Sequence, residues 1–297
     1  MASSPLNPKS HSHGRSNSLP SRSHPLILEC NEHLDGLRAS KATIFSSLFL
    51  CKNIRCLQDL IECVEKLTHL SLTQDVLLHE REENWVDEVL DGSLRLLDVC
   101  SAAKDALLHT KECTRELHSM IRRKRGGEVE LAAEAKKFLT SRKVVKKAIS
   151  KALANLNGTS KSCNISSTTT DKDHQTVSLI TLLQDTEVAT LSTFQTLLQF
   201  ISGSTQAKSN SWLSISKLIQ PKRVGCSQVA DENEFAQVDS ALHSFAFSKT
   251  SKFEETNSLQ SHLEKMESCI QDFEEGLEFL FRRLIRIRVS LLNVLNH

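Results

Sequence analysis

Apolar side chains recur at helical spacing along most of the chain from residue 26 onward. Leu50, Ile54, Leu57, Ile61 and Val64 follow steps of four, three, four and three, which puts them on one face of a helix. The whole segment 26–70 is read as helical. Pro25 stands as its first residue, where the missing N–H costs nothing. A short acidic stretch over 74–90 carries Trp85. Residues 93–125 follow, with Leu96, Cys100, Ala103, Leu107, Leu117 and Ile121 on one stripe and Gly126-Gly127 as the stop. Further helices are predicted over 128–156, 176–201 and near 231–247. The intervening segments 157–175 and 202–230 are rich in turn formers or interrupted by Gly and Pro, and are predicted loops.

The strongest pattern is the last one. Leu259, Leu263, Met266, Ile270, Phe273, Leu277, Leu280, Leu284, Ile287, Leu291 and Val294 form an unbroken heptad. Ser251-Lys-Phe-Glu254 before it is a capping box. A seam of Leu263, Ile270, Phe273, Leu277, Leu280, Leu284, Ile287 and Leu291 suits either a homodimeric coiled coil or one long helix of an intramolecular bundle. Phe281, Ile285, Leu292 and Leu295 widen the stripe beyond two positions in seven, which favours the bundle. Gly276 inside the helix is read as a point where it bends.

Composition agrees with this reading. Of five prolines among 297 residues, only Pro221 lies beyond residue 25, and glycines number nine. A proline costs about 3 kcal/mol in a helix interior and a glycine about 1. There is no tyrosine, and aromatics make up 5%, which argues against a β-sandwich or barrel. The expected fold is all-α: an elongated helical bundle over 25–297 behind a tail over 1–24. That tail is rich in Ser, Pro and His, holds no acidic residue, and is predicted to be disordered. Nine cysteines without a CxxC pair suit reduced thiols in the cytoplasm. The acid-poor, Ser-rich start also fits a plastid transit peptide, which is the alternative location.

Net charge is +1, yet it is unevenly spread. Residues 111–151 are strongly basic. Arg122, Arg123, Lys124 and Arg125 form a block, and Lys136, Lys137, Arg142, Lys143, Lys146 and Lys147 decorate the next helix. A basic amphipathic helix suits an anionic membrane surface or an acidic protein. Nucleic acid is not expected, because no aromatic platform interleaves the basic residues. Residues 231–280 are correspondingly acidic, so the two stretches are equally read as facing each other inside the fold. In the tail, Arg15, Ser18 and Pro20 occupy the positions of a 14-3-3 phosphoserine ligand. No P-loop, GxGxxG or GxSxG occurs, and His79-Glu80 lacks the second histidine of a zincin. His109, Cys113 and His118 are out of register for a metal site. No enzyme activity and no cofactor is expected.

Four blocks are similar to the plant BYPASS-related family. They are the tail from Arg15 to Pro25, Trp85-Val-Asp-Glu-Val-Leu-Asp-Gly-Ser-Leu-Arg-Leu-Leu-Asp-Val-Cys100, Ile121-Arg-Arg-Lys-Arg125 with the basic helix behind it, and Glu274 to Asn296 around Phe281-Arg-Arg-Leu-Ile-Arg-Ile-Arg288. The resemblance implies a regulator of root and shoot development that restrains a mobile root-derived signal, and it brings no catalytic residue with it. The expected activity is therefore a non-catalytic protein-interaction scaffold. The alternative is a peripheral membrane adaptor that binds anionic lipid through 121–151.

Overall fold

The computed structural model describes residues 24–39, 46–123, 128–159, 174–204, 233–247 and 252–296. The tail with Arg15, Ser18 and Pro20, the pair Lys124 and Arg125, the Gly126-Gly127 stop, Pro221 and Ser251 lie outside the described residues, as do most of the two expected loops.

Eight helices and no strand make up the described residues. They are α1 (Pro25–Ala39), α2 (Ser47–Thr68), α3 (Ser71–His79), α4 (Asn84–Arg123), α5 (Glu128–Thr159), α6 (His174–Ile201), α7 (Glu234–Phe247) and α8 (Lys252–Leu295). The helix expected over 26–70 is therefore two. The periodic residues that suggested it all lie in α2, while α1 buries its own stripe of Ile27, Cys30 and Leu34. Ser46 caps α2, its hydroxyl accepting from Phe49 N at 3.3 Å. The stretch 74–90 also divides. A turn at Glu80–Glu83 ends α3, and Trp85 and Gly92 fall inside α4 rather than before it. A Cβ at Gly92 would meet the carboxylate end of the Glu187 side chain on α6, which also accepts from Arg95.

α8 is the element around which the others assemble. It packs on α2, α4 and α7, with α3 near its end. Gln58 and Gly276, Glu62 and Arg283, then Thr68 and Ser290 meet in rising order, so α2 runs parallel to α8. Lys104 and Glu278, then Arg115 and Glu267, meet in opposite order, so α4 runs antiparallel to it. The heptad seam from Leu263 to Leu291 is buried against these neighbours within the one chain. At 1.5 Å per residue, the 44 residues of α8 span about 65 Å. Where α6, α7 and α8 meet, Phe200 packs edge-on to Phe235 and to Phe273, each at 5.8 Å between ring centroids. α5 lies outside on α4 and α7, and α1 covers α2 and α6.

Gly276 serves close approach: a Cβ there would stand 2.6 Å from Ile54 Cγ2. That methyl sits on a stiff β-branched side chain buried in α2. Gly276→Ala is expected to destabilise by up to about 2 kcal/mol, an overpacking cost of roughly 1–3 less a propensity gain of about 1. Gly36→Ala, with nothing within 4 Å of the added methyl, should stabilise by about 1 kcal/mol. Denaturant melts of the two variants check the opposite signs.

Candidate functional site

The basic stretch divides by helical phase. Lys104, Lys111 and Arg115 recur at steps of seven and four on one side of α4, and Glu278, Glu274 and Glu267 answer them along α8. Lys104 Nζ lies 2.7 Å from Glu278 Oε2, and Arg282 Nε lies 2.7 Å from Oε1 of the same carboxylate. Hydrogen bonds from these two cations hold the Glu278 carboxyl below the usual carboxylate range. Lys104 with Glu278 and Arg115 with Glu267 are solvent-accessible and contribute little to stability, whereas Lys111 and Glu274 are more sheltered, at 20% and 24% exposed. Their joint effect is to set the register between α4 and α8.

Arg142, expected on the basic surface, is instead 2% exposed. It belongs to the face of α5 that carries Phe138, Val145 and Ile149, all buried. Its Nε and Nη2 donate to the Asp239 carboxylate on α7 at 3.0 and 3.2 Å. Nη2 also donates to Ile201 O at 2.8 Å, and Nη1 to Thr110 Oγ1 at 3.4 Å. One guanidinium thus joins α4, α5, α7 and the last turn of α6. Beside it, Asn233 donates to Phe200 O at 2.7 Å and accepts from Phe235 N at 2.9 Å, capping α7. Gly203 closes α6 in the left-handed region, at φ 76°. Neither Asp239 nor Asn233 stood out in the sequence. The signal for Asn233 was present, an asparagine at the position before a helix.

The outward residues of α5 behave differently. Lys136, Lys143, Lys147 and Lys151 share one exposed face, and among the described residues none of them pairs with a carboxylate. Val129, 81% exposed, and Val144, 60%, lie on the same side. Phe247 of α7 is 61% exposed, with Lys136 Nζ 5.5 Å from its ring centroid. Lys137 and Lys146 flank this face and are paired, with Glu116 and Glu134 for the first and Asp239 for the second. Arg122 and Arg123 end α4 exposed, on a surface cleft of about 370 Å³ shared with Arg115, His118, Ser119 and Glu267.

Other chemistry is accounted for by packing. His109 Nε2 is 2.8 Å from Ser141 Oγ, which is 3.1 Å from Cys113 Sγ, while His118 stands 3.6 Å from both Glu264 and Glu267. No group of three His, Cys, Asp or Glu side chains among the described residues could hold a metal ion. Burial pushes the Cys100 thiol up to about 12, and Cys269 further. A depression of about 700 Å³ beside α8 interleaves Lys104, Arg282 and Arg286 with Glu274, Glu275 and Glu278, so it offers no net charge to a ligand. The cavity between Ile61, Leu96, Leu183 and Ile287 has about 50 Å³, far below the roughly 300 Å³ at which small-molecule sites begin. No described helix is long and apolar enough to cross a membrane.

The family model described as Protein BPS1 matches residues 53–294, from within α2 almost to the end of α8. No curated protein and no solved structure matches the chain.

Proposed function

Because the chain belongs to the Protein BPS1 family, we propose that it is a non-catalytic regulator of plant root and shoot development, acting as an interaction scaffold that docks acidic protein partners on the outer face of α5. The observation that carries this reading is the contrast in charge pairing. Cations facing α7 and α8 find carboxylates, whereas Lys136, Lys143, Lys147 and Lys151 present an unmatched row to solvent. A rigid row of this kind attracts an anionic surface and orients it, the attraction weakening with salt.

A second reading is a peripheral membrane adaptor, favoured by Val129, Val144 and Phe247 standing exposed among the lysines. Apolar side chains ringed by lysine suit the headgroup region of an anionic bilayer.

The test uses the full chain and a variant with all four lysines changed to glutamate. Both serve as bait in root extract, with and without phosphatase treatment, and both are sedimented with phosphatidylcholine vesicles with and without phosphatidylserine. The variant should keep its helical circular dichroism and lose the captured partners. Partners lost only after phosphatase treatment would assign docking to a phosphorylated segment such as that around Ser18. Sedimentation that needs phosphatidylserine and disappears in the variant would favour the membrane reading. Identical partner sets for both baits would overturn docking through α5.

A further inference from the structure

α1 lies before the region matched by the family model and is held mainly by α2 and α6. Its ties are few. Arg38 Nη2 pairs with Asp185 at 2.7 Å, half-exposed, and the buried stripe is Ile27, Cys30 and Leu34. Within that stripe, Cys30 Sγ lies 2.8 Å from Cys63 Sγ of α2. The Cys63 thiol donates in turn to Leu26 O at 3.4 Å. Both sulfurs are buried, both are thiols, and no other two cysteines among the described residues lie within hydrogen-bond distance of each other. A covalent S–S bond is about 2.05 Å, so closing this pair needs a movement of less than about 1 Å. Nothing in the sequence marks the pair, because the two cysteines are 33 residues apart and on different helices.

We propose that Cys30 and Cys63 are an oxidative modification site, a reversible disulfide that clasps α1 onto the bundle. The inference rests on this geometry alone and is independent of how partners dock. The oxidant is a small disulfide such as oxidised glutathione. When α1 lifts, the Cys63 thiol gives its proton to water and attacks one glutathione sulfur, forming a mixed disulfide and releasing one glutathione thiolate. As α1 returns, the Cys30 thiol loses its proton and attacks the Cys63 sulfur, expelling the second glutathione. Two protein thiols are oxidised by two electrons, and one oxidised glutathione is reduced to two thiols. Burial raises the pKa of both cysteines, so the first step waits on local opening of α1. The closed bond removes that opening.

The test is made on the full chain. It is incubated with oxidised glutathione, blocked with N-ethylmaleimide, digested and mapped by mass spectrometry. A peptide joining Cys30 to Cys63 is expected, with a rise in Tm on the order of 5 °C that dithiothreitol reverses. Cys30→Ser should abolish both effects, and Cys51→Ser should leave both in place. Recovery of Cys30 and Cys63 only as separately labelled peptides would overturn the proposal. So would a cross-linked form that melts below the reduced protein.

Discussion

Asp239→Ala is expected to lower the unfolding free energy by about 3–5 kcal/mol, because it strands the Arg142 guanidinium in the interior without a carboxylate. For a domain of this size that is a fall in Tm on the order of 10 °C. The effect should be asymmetric. Arg142→Met leaves Asp239 with Lys146 at 2.8 Å, so the remaining carboxylate keeps one counterion and the loss is smaller. Adding Arg142→Met to Asp239→Ala should then recover part of the stability, since the buried charge itself is gone. A thermal melt of the three variants reads the order directly. If Arg142→Met proves the most damaging of the three, the bonds to Ile201 O and Thr110, not the ion pair, are what the site depends on.

The second large effect is expected at Phe273. Its side chain is fully buried and stands edge-on to Phe200 where three helices meet. Phe273→Ala should cost about 3–5 kcal/mol through lost burial and the cavity left behind. Phe281→Ala, on the widened flank of the same stripe, should cost far less, because that ring is only half-buried beneath Lys104. The loss at Phe273 should not depend on protein concentration, since the seam closes within one chain. A deficit that shrinks as concentration rises would mean that the seam joins two copies.

Much of this architecture was legible in the sequence because most of it is periodic. The heptad of α8 marks every buried seam position, and the stripe of α4 from Leu96 to Ile121 lies inward as read. The expectation that basic and acidic stretches face each other is met at Lys111 with Glu274, Arg115 with Glu267, and Arg142 with Asp239. What escaped the sequence is what depends on neighbours distant along the chain. Arg142 counts as surface in a composition of basic residues; its phase with Phe138 and Val145 turns it inward, but its partner Asp239, 97 residues on, shows only in the fold. Gly276 reads as a bend in isolation, and only the approach of Ile54 gives it a steric purpose. The break between α1 and α2 carries no Gly or Pro, so Ser46 was its one local sign. The pair Cys30 and Cys63 has no signature at all until two helices fold onto each other.

The central position of α8 has a consequence for how the molecule is made. Gln58 of α2 and Gly276 of α8 touch while standing 218 residues apart. During synthesis at about 5–20 residues per second, the apolar faces of α2 and α4 wait on the order of 10–40 s for the helix that covers them. Until then the faces of α2 and α4 that α8 covers stay exposed, and exposed faces of this kind are where chaperones bind. Distant pairing also raises the contact order above that of a bundle built from successive hairpins, so refolding should be slow for an all-helical protein. A ribosome that stops before α8 releases a chain in which α2, α4 and α7 lack the helix on which they pack.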